Sequence, residues 1–127
     1  MRRMIPFVSL MLLGACTTTP PPPKQVDVFF QVNSAKLTPE AQQVVDTIVA
    51  MIRDTKPSSI VVEGEADGAS PRDAQLADQR ASTVAGALRA AGVDQSKIVQ
   101  HAALALPAQQ DLATHVSTHK VAVQLLP

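Results

Sequence analysis

Beyond its first fifteen residues the chain carries only two aromatic side chains, the adjacent Phe29 and Phe30, and it has neither Trp nor Tyr. A core without large rings has to be filled by Val, Ile, Leu and Ala, and dense filling by small side chains favours close helix packing over a wide cavity. Val26, Val28, Phe30 and Val32 alternate with Asp27, Phe29 and Gln31, a period of two that predicts a strand and sends the two rings to opposite faces. Thr38-Pro39-Glu40 follows as a helix start, with a hydroxyl N-cap, proline at the first helical position and an acid in the first turn. Ala41, Val44, Val45, Ile48, Val49 and Ile52 then recur at helical spacing, which predicts an amphipathic helix from Pro39 to Thr55. Lys56-Pro57-Ser58-Ser59 breaks it, and Ile60-Val61-Val62 opens a second strand. A second helix is expected from Asp73 to Ala91, with Leu76, Ala77, Ala81, Val84, Ala85 and Leu88 on its apolar side and Gly92 at its exit. Ile98–Leu104 and Lys120–Leu125 are two further strand candidates, and Pro107–Ser117 between them holds at most a short helix. The order β-α-β-α-β-(α)-β implies an α/β two-layer sandwich, with helices packed on one four-stranded sheet.

The N-terminus has a different character. Arg2 and Arg3 precede an apolar run from Met4 to Leu13, about ten residues, which is half of what a membrane-spanning helix needs. The run closes on Leu13-Gly14-Ala15-Cys16, which holds the only cysteine and therefore no intrachain disulfide partner. The tetrapeptide resembles the lipobox of exported lipoproteins. That resemblance implies cleavage after residue 15 and a covalent lipid on Cys16; an ordinary secretory signal with a chance cysteine, or a short buried helix, is the bland alternative. Thr17 in place of an Asp after the cysteine points, by the sorting rules of that class, to the outer membrane. Thr-Thr-Thr-Pro-Pro-Pro-Pro-Lys, residues 17 to 24, has nothing to bury and forms a polyproline II spacer with a reach of about 25 Å. The expected organisation is a signal over 1–15, a lipidated cysteine and tether over 16–24, and one domain over 25–127.

Charge and composition exclude several functions. Two of the eleven Lys and Arg sit in the signal, leaving nine against eleven Asp and Glu, so no basic stripe for nucleic acid is expected. Two aromatics provide no stacking platform for sugars or bases. There is no Gly-rich phosphate loop, no nucleophile elbow and no triad, and serines such as Ser70 have no identifiable base, so no enzymatic activity is expected. No cofactor is expected beyond the lipid on Cys16.

The stretch Phe29-Phe30-Gln31-Val32-Asn33-Ser34-Ala35-Lys36-Leu37-Thr38-Pro39-Glu40-Ala41 resembles the opening of the OmpA-like C-terminal domain. Val62-Glu63-Gly64-Glu65-Ala66-Asp67 resembles that family's second strand with its Gly-x-x-Asp, and Leu76-Ala77-Asp78-Gln79-Arg80-Ala81 resembles its Leu-Ser-x-Arg-Arg-Ala. Ala90-Ala91-Gly92-Val93 and Lys97-Ile98 match the usual helix exit, and with the lipobox the chain resembles a small peptidoglycan-associated lipoprotein. The resemblance implies noncovalent binding of peptidoglycan through the diaminopimelate of the peptide stem, with Asp67 and Arg80 as the charged contacts. A carboxylate and a guanidinium complement the ammonium and carboxylate of that ligand. Glu65, Asp73 and Lys120 are accessory positions.

The chain also departs from the family pattern. Glu65 stands where the family commonly has His or another neutral ring, Gln79 replaces the first Arg of the helix motif, and Thr118-His119-Lys120 replaces a C-terminal Asn-Arg-Arg. The segment between Asp67 and Arg80 is two residues short of the usual pattern. Weaker or altered wall binding on a retained fold is therefore expected. Beside the ligand role stands a plainer reading, in which Asp67 and Arg80 form a surface ion pair worth about 0–1 kcal/mol. Glu63, Glu65, Asp67 and Asp73 lack the spacing of a calcium site and read as a solvated acidic rim, and His101, His115 and His119 read as surface residues. Two functions follow: an outer-membrane lipoprotein whose periplasmic domain links that membrane to peptidoglycan, or a structural subunit of an envelope or secretion complex that uses a degenerate OmpA-like domain for protein docking.

Overall fold

The computed structural model describes residues 22–66, 70–103 and 119–127. The chain enters through β1 (Lys24–Phe29) and continues through α1 (Pro39–Thr55), β2 (Ser59–Glu65) and α2 (Pro71–Ala90). One turn of 3-10 helix (Gln95–Lys97) then leads to β3 (Ile98–Ala103), and β4 (Lys120–Leu126) is the last strand. The strands form one sheet in the order β1-β4-β2-β3, with β4 antiparallel to both neighbours and β2 parallel to β3. The α/β sandwich expected from the sequence is the architecture observed. Lys24, placed at the end of the tether by its composition, is the first residue of β1.

Local chemistry explains each boundary. Thr38 caps α1, its hydroxyl accepting from the Ala41 amide at 3.2 Å, with Pro39 at the first turn. The helix ends at Lys56, which takes the left-handed conformation and donates its amide to the Ile52 carbonyl. α2 begins two residues before its expected start, because Ser70-Pro71 repeats the hydroxyl-proline grammar of Thr38-Pro39. It ends in a Schellman motif. Gly92, with φ +95°, donates to Arg89 O and Val93 donates to Leu88 O, so two otherwise open carbonyls are satisfied. β1 stops at Phe29, three residues short of the alternating pattern, and the expectation that Val32 extends the strand is corrected. The Phe30 amide still reaches His119 O at 2.7 Å, but Asn33 (φ 54°) turns the chain, and Val32 is left 66 % exposed.

The core lies between the helices and one face of the sheet. Ala41, Val45, Ile48 and Val49 of α1 and Ala77, Ala81, Val84, Ala85 and Leu88 of α2 close over Val28, Ile60, Val62, Val121 and Val123. Full burial of a side chain of this size contributes about 1.5–3 kcal/mol before the loss of chain entropy. α2 lies so close to β2 that a Cβ on Gly64 would stand 2.1 Å from the Ala77 carbonyl oxygen. Only glycine permits this approach. Phe30 is buried at the edge of the core, whereas Phe29 is 56 % exposed on the other face, as the alternation requires.

Candidate functional site

Strand direction gives the domain two distinct ends. β1 and β2 start, and β4 finishes, at the end where the Pro-rich segment enters; the other end carries the loop from Phe30 to Thr38, the start of α2 and the first residue of β4. Of the positions singled out from sequence, Glu65, Asp73, Arg80 and Lys120 are described, and they lie toward this second end.

Arg80, in the third turn of α2, is the only buried charged residue among the described residues, with no exposed surface. Its Nε donates to Ser34 O at 2.8 Å and its Nη2 to Gln31 O at 3.1 Å, while Cζ lies 5.8 Å from the centre of the Phe30 ring. A buried guanidinium is tolerated only when carbonyls or anions replace its water. Here backbone carbonyls of the β1–α1 loop are among its acceptors. Arg80 is therefore not a surface group: it lies inside the fold and fastens a loop to a helix. One turn further on, the Thr83 hydroxyl lies 2.9 Å from both Ala35 O and Gln79 O. Within the loop, the Ser34 amide donates to Gln31 O at 3.1 Å and the Lys36 amide to Ser34 Oγ at 3.1 Å.

Asp73 occupies the first turn of α2. Its amide donates to Ser70 Oγ at 3.2 Å and its carboxylate accepts from the Ser70 hydroxyl at 2.6 Å. This is a capping arrangement closely related to the capping box, and it places a negative charge at the positive end of the helix dipole. Asp67 lies outside the described residues, as do Cys16, His115, Thr118 and the segment from Pro107 to Ser117.

Glu65 and Lys120 belong to the opposite face of the sheet from Arg80. β2 turns Ile60, Val62 and Gly64 to the helices and Val61, Glu63 and Glu65 to the open face. On that face Lys120 Nζ sits 3.1 Å from Asp27 Oδ2 and 3.8 Å from Glu65 Oε1, and His101 Nε2 sits 2.7 Å from Glu63 Oε2. Burial raises the Glu65 pKa; Lys120 pulls it back down, and Asp27 and Glu63 add to the rise. The accessory positions therefore divide. Asp73 caps α2, whereas Glu65 and Lys120 form part of a polar ladder across the sheet face turned away from the helices. Neither Asp27 nor the Gln31, Ser34 and Ala35 carbonyls were identified from sequence, since carbonyl acceptors leave no residue-type signature. Arg80 was identified by its residue type within the helix motif, and in the structure it lies on the buried stripe with Ala77, Ala81, Val84 and Leu88. His119, expected at the surface, is half-buried and accepts the Phe30 amide on its carbonyl, while His101 is exposed.

Among the described residues, no three His, Cys, Asp or Glu side chains converge as a metal site, and no helix is long and apolar enough to cross a membrane. An open groove of about 370 Å3 lies at the other end, where the chain enters, lined by Pro22, Lys24, Thr55, Pro57, Leu125, Leu126 and Pro127. With one cation, no acidic side chain and mostly apolar walls, it does not complement a zwitterionic ligand.

Comparison with solved structures finds the same architecture. The chain is similar to the OmpA-like domain of FopA1 from Francisella tularensis subsp. tularensis SCHU S4, at 21 % identity and a TM-score of 0.69, over 81 % of this chain and 72 % of that one. It is similar to the peptidoglycan-associated lipoprotein from Burkholderia pseudomallei, at 19 % identity and a TM-score of 0.64, over 78 % and 87 %. A third similar structure is the cell wall anchor of the T6SS from Pseudomonas aeruginosa, at 20 % identity and a TM-score of 0.66, over 80 % of each chain. A comparison with curated proteins gives no match. OmpA-like domains are structural, peptidoglycan-binding modules of the cell envelope and are not enzymes. The OmpA family model matches residues 29–122, which include both helices, the loop that Arg80 fastens and most of the sheet, and the chain belongs to the OmpA family.

Proposed function

We propose that this protein is an outer-membrane lipoprotein, anchored by a covalent lipid on Cys16, whose periplasmic domain binds the diaminopimelate stem of peptidoglycan and ties that membrane to the wall. The observation that carries the reading is the polarity of the domain: the Pro-rich segment enters at one end, and the loop fastened by Arg80 lies at the other. A membrane anchor at the first end leaves the second free to meet the wall. Fully extended, the tether adds about 25 Å to a domain roughly 35 Å across, a reach of about 60 Å from the membrane. In this reading Asp67 takes the ammonium of the diaminopimelate. Arg80 serves the ligand carboxylate from beneath the loop, its positive charge acting at short range in a site of low dielectric.

Mechanistically, binding is recognition without chemistry. The amide and hydroxyl groups of the loop and the first amides of α2 provide donors to a peptide carboxylate, and the ligand's sugar needs no aromatic platform. Co-sedimentation of the full chain with diaminopimelate-type sacculi tests this, with Asp67→Ala and Arg80→Ala compared with wild type. Pelleting of the wild type that falls at least tenfold in Asp67→Ala supports the reading, and a wild type that stays in the supernatant refutes it.

A second reading is favoured by the enclosure of Arg80. A guanidinium without exposed surface suits a scaffold role, in which the domain is a docking block of an envelope or secretion complex. The same sedimentation separates the two, because a docking block leaves the sacculi unbound.

A further inference from the structure

We propose that Thr83 is a positioning residue of the wall-binding end: with Arg80 it holds the β1–α1 loop in the shape that offers Gln31, Asn33 and Lys36 to the ligand. The inference rests on the wall-binding reading and extends it to residues that touch no ligand themselves.

Three successive features support it. First, the loop has little regular structure of its own. Its internal bonds are a Ser34 amide to Gln31 O and a Lys36 amide to Ser34 Oγ, around an Asn33 in the left-handed region. Second, the carbonyls of Gln31, Ser34 and Ala35 all accept from side chains of α2, two from Arg80 and one from Thr83. Residues 80 and 83 are three apart and share one helix face, so a single rigid element sets the backbone path of the loop at three points. Third, fastening the carbonyls inward leaves the side chains of Gln31, Asn33 and Lys36 exposed. Two amides and an ammonium are the groups that a peptide stem with free carboxylates and carbonyls would be read by.

Thr83 has a competing use. A threonine in a helix commonly returns its hydroxyl proton to the carbonyl four residues back, and Gln79 O lies at the same 2.9 Å as Ala35 O. One proton serves both acceptors, so the hydroxyl either belongs to the helix alone or shares in holding the loop.

The full chain is compared as wild type, Thr83→Val and Thr83→Ser, with two readouts. Amide hydrogen exchange reports the loop from Gln31 to Lys36 against the core of α2; calorimetric titration reports affinity for the soluble muropeptide N-acetylmuramyl-L-Ala-D-Glu-meso-diaminopimelate. The expected result is that Thr83→Val accelerates exchange in the loop by about tenfold and weakens the muropeptide three- to tenfold. Thr83→Ser restores both, and exchange at Val84, Ala85 and Leu88 is the same in all three proteins. Loop exchange in Thr83→Val equal to wild type overturns the proposal, because the proton then serves Gln79 alone. So does a Thr83→Ser that binds as weakly as Thr83→Val. Absence of muropeptide binding by the wild type, with loop exchange still accelerated in Thr83→Val, instead removes the wall-binding reading and with it the ligand part of the proposal, leaving the loop clamp standing.

Discussion

The two faces of β2 obey different rules. Toward the helices, Ile60, Val62 and Gly64 are fitted to α2 so closely that even a methyl group at Gly64 has no room. Toward the open side, among the described residues, Val61, Glu63 and Glu65 lie beside neighbouring strands, where His101 pairs with Glu63 and Lys120 stands between Asp27 and Glu65. One strand of seven residues thus specifies the fold with one face and carries adjustable charge on the other. Because Glu65 lies on the face of β2 turned away from α2, its carboxylate is accommodated without disturbing the packing of the sandwich.

Substitutions on the two faces should therefore differ in size. The largest effect is expected for Gly64→Val, whose Cβ meets backbone rather than a movable side chain. It should cost more than about 3 kcal/mol, the upper end of ordinary overpacking, and chemical denaturation should show loss of the cooperative transition. Arg80→Leu comes next. It takes the Arg80 donor from the Ser34 carbonyl, at about 1–3 kcal/mol, while the Gln31 carbonyl keeps the Ser34 amide, so a loss of about 1–3 kcal/mol is expected from urea melts, with loop amides released first in hydrogen exchange. Ile60→Val removes one buried methylene, about 0.5–1.5 kcal/mol, without altering the m-value. On the open face, Glu63→Ala should change stability by less than about 1 kcal/mol, since its pair with His101 is half solvated. A loss above about 2 kcal/mol there would show that this face also specifies the fold.

Glu65 gives the smallest effect and the one with a pH signature. Its folded-state pKa is raised, mainly by burial, so the folded protein holds this proton more tightly than the unfolded chain does. The stability it contributes is complete below its ordinary value of 4.5 and is lost as pH rises through the folded-state value. Glu65→Gln should accordingly melt slightly higher than wild type at pH 7, and the difference should close as the pH is lowered past 4.5. An unchanged difference across that range would show that the carboxyl is solvated like an ordinary surface acid.

Most of the fold was legible because local signals and burial pointed the same way. Thr38-Pro39 and the apolar spacing from Ala41 to Ile52 gave α1 its observed limits, and Gly92 ended α2 through a bond pattern that only a left-handed residue completes cheaply. The same hydroxyl-proline signal at Ser70-Pro71 is harder to read, since the apolar period does not begin until Leu76. Val32 misleads for the opposite reason: alternation persists along the sequence after the backbone has turned at Asn33. The central position of β4 has no local signal at all, because nothing in Lys120 to Leu126 says which strands it will divide. Arg80 was legible by residue type and by resemblance, but its burial was not. A charged side chain inside an apolar stripe reads as surface until the loop carbonyls that enclose it are located in space.

In the proposed function, the end of the domain that carries the Arg80-fastened loop meets the wall. The most direct measurement is a titration of isotope-labelled full-length protein with the stem tripeptide L-Ala-D-Glu-meso-diaminopimelate, followed by amide and Arg Nε chemical shifts. Saturable shifts are expected at Gln31, Asn33, Lys36, Ser70 and Arg80 Nε, with Val61, Glu63 and His101 unmoved. Shifts confined to the open sheet face, or none at millimolar tripeptide, would contradict it.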